Sequence, residues 1–183
     1  MPKRVSRNAL DEQVSAAIYD GDLAAADEAI RRGGRLGAHE LMRAASAGDV
    51  ELVRFLLDRG ALSDSGPDEN PQRLPPMHEA ILNEHLDCLL LLASRRPEDA
   101  LRADVNGATA LMMATWLGPE QAVQALVGIS DVGAVDNSGF DALARAVHPA
   151  AKLFLAGWLE ARRERAALSA AAPAAAEAAK IRI

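Results

Sequence analysis

The chain has 183 residues and a formal net charge of −6; half of its residues are hydrophobic, but only 3% are aromatic. This length and composition suffice for one folded domain with a sizeable core. The acidic balance argues against nucleic acid as a partner, because phosphates are bound by clustered Lys and Arg. The longest apolar run, residues 88–93, is far too short to cross a bilayer, so no membrane association is predicted.

One segment recurs five times along the chain. It consists of an apolar residue, an alanine three positions later, a Gly-Asp pair or its equivalent, and then a run rich in Leu and Val. The apolar residues that open the copies are Val14, Leu41, Met77, Leu111 and Leu143. Intervals of 27 to 36 residues separate them, which is the range of helical repeat arrays.

Each copy predicts two short antiparallel helices. In the second copy, Leu41 and Ala44 have helical spacing, and Gly48 with Asp49 ends one helix and caps the next, whose apolar face lies in residues 50–57. A single pair cannot bury both of its apolar sides, so the copies must stack. Alanines are expected where neighbouring first helices approach closely: Ala17, Ala44, Ala45, Ala80, Ala114 and Ala146.

The connections and the C-terminal end differ from copy to copy. Residues 33–37 form a short glycine-containing link, whereas residues 61–76 are polar and proline-rich and predict an extended loop that is either functional or mobile. In the fifth copy, Pro149 fits the first turn of the second helix. The charged segment 160–165 is typical of the solvent-facing side of a capping helix, and a frayed tail is expected beyond Pro173.

Several of these segments resemble the ankyrin-repeat family. The family's order of hairpin, Thr-Pro-Leu-His, helix, Gly-His, helix and Gly-Ala is matched in part by residues 107–112, Pro76-Met77-His78, Glu84-His85 and Gly60-Ala61, although no copy has the complete Thr-Pro-Leu-His. The resemblance implies an all-α fold, an ankyrin-repeat solenoid of stacked antiparallel helix pairs with short hairpin-like loops.

The copies divide the chain into three parts. Residues 1–10 form an N-terminal arm, residues 11–165 the repeat domain, and residues 166–183 an Ala-rich C-terminal tail. Within the domain, the five repeats span approximately residues 11–34, 35–61, 70–103, 104–135 and 136–165.

One constellation, made of His78, Glu79, His85 and Cys88, has the residue types and spacing of a zinc site. The repeat alignment favours a structural interpretation. His78 takes the place of the family's Thr-Pro-Leu-His histidine, whose imidazole satisfies backbone groups, and His85 takes that of the Gly-His pair. Cys88 aligns with Leu52, a core position. We therefore predict no metal and no cofactor.

Motifs that carry catalysis are not found in the sequence. It contains neither a Gly-x-x-x-x-Gly-Lys-Ser/Thr phosphate loop nor a Gly-x-Ser-x-Gly nucleophile motif. The acidic residues Asp22, Asp49 and Asp87 recur at helix starts, where a carboxylate stabilises the N-terminal amides without taking part in catalysis. We predict that the protein is not an enzyme and has no catalytic residues.

The resemblance further implies binding of a protein through the hairpin tips and the concave side of the first helices. The aligned positions predict eight binding residues: Tyr19, Arg35, Arg43, Glu79, Met113, Trp116, Phe140 and Arg145. Aromatic and arginine side chains dominate interface energetics, which favours the cluster toward the fourth and fifth copies. The alternative is that Trp116 or Phe140 folds back onto a neighbouring hairpin or onto the C-terminal cap.

The leading functional hypothesis is therefore a non-enzymatic protein–protein interaction module, monomeric in isolation. Its acidity favours a basic partner, as for an inhibitor or immunity-type protein. The alternatives are a structural or scaffolding subunit of a larger assembly and a metal-dependent activity at His78, His85 and Cys88. Cys88 is the only cysteine, and the basic residues 1–8 lead into Asp11 rather than into an apolar stretch. A cytoplasmic location is expected on these grounds.

Overall fold

The structure, a computed structural model, describes residues 7–36, 38–61 and 74–180. In these ranges it consists of five consecutive helix pairs, which confirms the all-α prediction. The pairs are α1 (Arg7–Tyr19) with α2 (Leu23–Arg31), α3 (Ala38–Ala47) with α4 (Val50–Asp58), α5 (Pro76–Leu82) with α6 (Leu86–Arg95), α7 (Ala110–Leu117) with α8 (Glu120–Val127), and α9 (Ala142–Arg145) with α10 (Pro149–Lys180). A 3₁₀ helix, Pro97–Leu101, follows α6.

The second helix of each of the first two pairs begins at an aspartate, as predicted. The carboxylate of Asp22 accepts a hydrogen bond of 2.9 Å from the amide of Ala25. Asp49 accepts one of the same length from the amide of Leu52. Asp87 lies in the first turn of α6. The carboxylates of Asp22 and Asp49 satisfy amides that have no partner within the helix. Asp87 makes no capping bond, and its charge only complements the positive end of the helix dipole.

In each of the first three pairs, the turn between the two helices contains a residue with a left-handed backbone. Gly21 has a φ of 75° and Gly48 a φ of 73°, a conformation that costs glycine little because it has no Cβ atom. The third pair places Glu84 at the equivalent position, with a φ of 62°. The same turn is therefore built by a residue for which the left-handed conformation is unfavourable.

The pairs stack so that first helices contact first helices and second helices contact second helices. Helices α3, α5, α7 and α9 form one row, and α4, α6, α8 and α10 form the other. The first pair is joined to the second by side-chain bonds from Ser15 to Glu40 and from Arg59 to Asp27. All six alanines predicted at close helix approaches are buried, so the small side chains permit the spacing of the first row.

A single hydrophobic cluster runs through the stack from Val14 in α1 to Leu155 in α10. All five pairs contribute to its largest fully buried apolar side chains: Val14, Leu41, Val53, Leu56, Met77, Leu89, Leu92, Leu111, Met112, Leu126 and Leu155. Each such leucine contributes roughly 1.5–3 kcal/mol of apolar transfer free energy to folding. No helix in the described ranges has both the length and the apolar character needed to span a bilayer.

The helix limits differ in places from the sequence prediction. Helix α1 begins at Arg7 and so includes the end of the predicted N-terminal arm. Helix α10 begins at Pro149, as predicted, but runs to Lys180, past the point where a frayed tail was expected. Alanine has the highest helix propensity of all residues, which accounts for the continuation. Most of the long connection predicted at 61–76 lies outside the described residues.

Candidate protein-binding surface

Eight predicted binding residues are distributed along the row of first helices and the links that join them. We call the side of the array that carries Tyr19, Arg43, Glu79, Trp116 and Arg145 the first-helix face. At its N-terminal end, Tyr19 is 73% exposed, and the guanidinium carbon of Arg43 lies 5.3 Å from the centre of the Tyr19 ring. This cation–π contact joins the first pair to the second and holds both side chains at the surface.

Arg35 lies in the link between the first two pairs and is tied back to helix α1. Its backbone amide donates to Asp11 Oδ1 at 2.7 Å, and its guanidinium lies 3.4 Å from Asp11 Oδ2. The side chain itself is exposed. Arg35 thus presents a positive charge at the edge of the array, partly balanced by the carboxylate that positions its backbone.

In the middle of the first-helix face, Glu79 belongs to a polar network between α3 and α5. Ser46 Oγ donates to Glu79 Oε2 at 3.0 Å, and Asn83 Nδ2 donates to Ser46 Oγ at 3.2 Å. Glu79 is half-buried as a result. Its carboxylate is held in one orientation by two neighbours, so it is less available to a partner than the exposed arginines.

Trp116 and Met113 differ in exposure although both lie on α7. Trp116 is 49% exposed, whereas Met113 is only 8% exposed. The sequence prediction that Met113 stands on the outer side is therefore wrong. Met113 lines a cavity of about 240 Å³ together with Ser138 from the next hairpin and Arg145 from α9. Trp116 lies in the lining of the same cavity.

Phe140 and Arg145 form the second exposed aromatic–arginine contact. Phe140 is 49% exposed, and the guanidinium carbon of Arg145 lies 5.2 Å from its ring centre. Arg145 Nε also donates to Asp136 Oδ2 at 2.6 Å. Trp116 and Phe140 each leave about half of their surface exposed, so neither is sealed in the core.

Asp136 organises this corner, although it is not among the predicted binding residues. Its buried carboxylate accepts backbone amides from Ser138 at 2.8 Å and Phe140 at 3.1 Å, in addition to Arg145. Burial raises the pKa of Asp136, but the hydrogen bonds from Phe140, Arg145 and Ser138 outweigh it, so the pKa lies below its ordinary value. The turn signature of Asp136 followed three residues later by Gly139 was the available signal.

The hairpins before α7 and α9 have the same construction and are bonded to each other. Asp104 Oδ1 accepts the backbone amides of Asn106 and Ala108 at 2.8 Å each, as Asp136 does in the next hairpin. The amide of Asn137 donates to the carbonyl oxygen of Asn106 at 2.9 Å, and its side chain donates to the carbonyl of Val105 at 3.1 Å. The two tips therefore form one continuous edge.

The residues of the possible zinc site take up structural positions. His78 is fully buried, with Nε2 2.9 Å from the carbonyl oxygen of Ala108. His85 Nε2 lies 3.1 Å from the carbonyl oxygen of Ser46. Cys88 is buried in the core, and burial raises the pKa of its thiol. No three His, Cys, Asp or Glu side chains in the described residues are grouped to hold a metal ion.

Comparisons with known proteins bear on the fold. A search of curated proteins found no match. The family model described as "Ankyrin repeats (3 copies)" matches residues 15–99 and 41–136, which together cover more than half of the chain and include α2 to α8. Ankyrin repeats are in general protein–protein interaction modules. The match and the five stacked helix pairs lead to one conclusion: the chain belongs to the ankyrin-repeat family.

Proposed function

We propose that the protein is a non-enzymatic module that binds a partner protein through the concave first-helix face and the hairpin tips. The observation that carries the proposal is the exposure of three aromatic side chains, Tyr19, Trp116 and Phe140, on this side. Two of them are paired with an arginine, Arg43 or Arg145. Exposed aromatic and arginine side chains are the residues that most often dominate binding energies.

The construction of the Phe140 corner supports binding with little loss of entropy. Arg145 is fixed by the buried carboxylate of Asp136, and the same carboxylate fixes the backbone of Phe140. Side chains that are already ordered lose little conformational freedom when a partner docks. The adjacent cavity has Met113 and Trp116 on one side and polar residues such as Asp104 and Ser138 on the other, and it offers a recess for a side chain of the partner.

We further propose an inhibitor or immunity-type role against a basic protein, exercised in the cytoplasm by a monomer. The net charge of −6 favours a positively charged partner, because complementary charges accelerate encounter and exclude wrong partners. The single cysteine suits a reducing compartment.

A scaffolding role is a second candidate, favoured by the surface of α10. Leu153 and Leu168 are largely exposed on this helix. About 22 Å of helix separates them, so they offer two separate contact points rather than one patch. In that case, the docking surface is α10 rather than the first-helix face. The two candidates therefore predict opposite effects of truncation.

The test is affinity purification from the native host with quantitative mass spectrometry, followed by calorimetry with the purified partner. We compare the wild type with a Trp116→Ala/Phe140→Ala double variant. A Leu153→Ala/Leu168→Ala variant removes the same number of exposed apolar side chains from α10 and is the control. The proposal predicts that the aromatic variant binds about 30-fold or more weakly, the usual loss for a binding hot spot, and that the control binds normally.

A chain that lacks residues 166–183 separates the two candidates. Binding through the first-helix face survives the truncation, whereas docking through the end of α10 is lost. If the aromatic double variant captures the same partner with unchanged affinity, the proposed surface is wrong.

A further inference from the structure

Glu40 is a buried carboxylate that is only half satisfied. It lies on α3, is 7% exposed, and accepts a hydrogen bond of 2.6 Å at Oε1 from Ser15 Oγ on α1. Its other oxygen, Oε2, is buried and has no hydrogen-bond partner in the structure. A buried carboxylate oxygen without a donor is costly to fold around. Such a group points to a donor supplied from outside the chain.

Glu40 lines a cavity between the first two helix pairs. The cavity has a volume of about 580 Å³, within the size range of ligand sites. Tyr19 and Arg43, the stacked pair at the N-terminal end of the first-helix face, line it too. The cavity is therefore continuous with the surface that we propose for partner binding.

The lining of the cavity selects for a cation with an apolar stem. Three carboxylates, those of Glu40, Asp20 and Asp49, stand against one guanidinium, that of Arg43. Of these carboxylates, Asp49 is used in capping α4. The remaining wall includes the apolar side chains of Ile18, Ala44 and Leu52. An apolar wall beside a buried carboxylate suits a lysine or arginine side chain, which packs its methylene groups and offers charged donors at its tip.

We infer that this cavity receives a basic side chain, a lysine or arginine of the partner protein, whose donors bind Glu40 Oε2. Ser15 holds Oε1, so Oε2 is the oxygen that lacks a donor. Because Oε2 is buried, the incoming group reaches it only when the side chains that cover it move aside. Asp20 adds negative charge at the cavity, and the Tyr19 ring supplies an aromatic edge. The inference rests on the proposed function, since it names one side chain of the same partner.

The experiment uses defined probes and the full chain labelled with ¹⁵N. Nα-acetyl-lysine methylamide and Nα-acetyl-arginine methylamide are titrated to high millimolar concentration and followed by amide chemical shifts. Nα-acetyl-norleucine methylamide, which has the stem but no charge, is the control probe. We expect saturating shifts at Tyr19, Gly21, Arg43 and Ala44 with the basic probes and none with norleucine. Equal shifts with norleucine, or no saturation with either basic probe, overturn the inference.

Substitutions then assign the effect to the carboxylate. Glu40→Gln keeps the shape and the Ser15 contact but removes the charge, and it should weaken probe binding by about tenfold, the effect of losing one charged hydrogen bond. Glu51→Gln removes the same charge from an exposed position on α4 and should leave probe binding unchanged. Unaltered affinity in Glu40→Gln contradicts the inference.

A second variant keeps the test decisive if Glu40→Gln does not fold. Asp20 is exposed, so we expect Asp20→Asn to fold normally. It should weaken binding of the basic probes by about twofold to fivefold, because only electrostatic attraction is lost. Unchanged binding in this variant also counts against the inference. Failure here is distinguishable from failure of the proposed function. If partner binding requires Trp116 and Phe140 but binding of the basic probes does not depend on Glu40, the proposed function still holds. The inference that the cavity binds a basic side chain is then wrong.

Discussion

The imidazole of His78 joins two repeats, because its Nε2 lies 2.9 Å from the backbone carbonyl oxygen of Ala108. A carbonyl oxygen can only accept, so Nε2 carries the proton. Ala108 directly precedes Thr109, whose side chain caps α7. The bond therefore fixes the start of the fourth helix pair relative to α5, and it is made entirely inside the core, where His78 is fully buried.

Replacing His78 should destabilise the protein strongly. His78→Ala removes the bond to Ala108 and leaves a cavity, and we expect the free energy of unfolding to fall by about 2–4 kcal/mol. Urea denaturation measures it. The control is His148→Ala at an exposed position, which should stay within about 0.5 kcal/mol of the wild type. Similar losses in the two variants would show that His78 does not link the repeats.

The same histidine should make stability depend on pH. Burial lowers the pKa of His78 below its ordinary value of 6.5, although the bond to Ala108 acts in the opposite direction. Below about pH 6.5, the unfolded chain binds a proton at this position more readily than the folded chain does, so the free energy of unfolding falls as the pH falls. Above that pH, the contribution is fully present.

We expect this loss between about pH 7 and pH 5 in the wild type and a smaller loss in His78→Gln, which cannot be protonated. The measurement is urea denaturation across the pH range. His148→Gln serves as the control and should retain the wild-type profile. Parallel profiles for the wild type and His78→Gln would contradict the assignment.

Two glycines with the same backbone conformation should respond differently to alanine. Gly21 and Gly48 both have left-handed φ angles, so either substitution costs about 1–2 kcal/mol of backbone strain. A Cβ atom at Gly21 meets nothing within 4 Å, whereas one at Gly48 stands 2.6 Å from Nδ1 of the His85 ring. His85 is held by the carbonyl of Ser46 at 3.1 Å, so it cannot move away without losing that bond.

Gly48→Ala should therefore lose about 1–3 kcal/mol more than Gly21→Ala. Chemical denaturation of both variants under one set of conditions gives the difference. Because the backbone strain is common to the two, Gly21→Ala is the matched control. Equal destabilisation would mean that the His85 ring adapts at no cost.

Substitutions of Met113 and Trp116, which lie on the same helix, should have different effects on stability and on partner binding. Met113→Ala truncates a buried side chain and should lower the free energy of unfolding by about 2–4 kcal/mol. Trp116→Ala, at a half-exposed position, should cost less than about 1 kcal/mol while it weakens partner binding. Thermal and urea unfolding test the first effect and calorimetry the second. A Trp116→Ala variant as unstable as Met113→Ala would place Trp116 in the fold rather than in the interface.

Arg145 should control the ionisation of Asp136. Arg145→Met removes a cation that lowers the pKa of Asp136 while burial, which raises it, remains, so the pKa should rise. A carboxyl ¹³C titration measures this shift. The depressed pKa stabilises the wild type above about pH 4, and this contribution disappears as the pH falls through the folded-state pKa. The variant should therefore lose less stability on acidification.

Arg162→Met provides the control, because Arg162 is likewise stacked on an aromatic ring, that of Trp158, at 5.3 Å. It should leave the titration of Asp136 unaltered. If the pKa of Asp136 is the same in Arg145→Met as in the wild type, Arg145 does not influence the ionisation of Asp136 and the prediction is wrong.

Features with a sequence period were predictable. The recurring segment, whose first copies begin at Val14 and Leu41, predicted five helix pairs. Each pair must present a similar apolar face to its neighbours in order to stack, so the apolar pattern recurs in the sequence. The caps at Asp22 and Asp49 and the structural role of His78 followed from the same alignment. The sequence also placed Tyr19, Trp116 and Phe140 outside the core, where they are found.

Features that depend on the approach of two repeats were not predictable. Met113 is buried beside a cavity that is also lined by Ser138 and Arg145 from the next repeat. The buried carboxylate of Glu40 accepts its hydrogen bond from Ser15, a residue 25 positions earlier. The central role of Asp136 depends on Arg145 turning back to it. A local sequence pattern predicts each helix and hairpin. It does not predict how closely adjacent repeats pack, and that packing decides which side chains are buried.

The stacking of each helix pair on its neighbours has a mechanical consequence. Contacts along both rows connect successive pairs, and such arrays are stabilised by nearest-neighbour terms. A stretching force applied between the two chain ends therefore acts on the interfaces between pairs one after another along the array. Under a stretching force, the molecule should lengthen in steps, because one helix pair unfolds at a time while the other pairs remain folded.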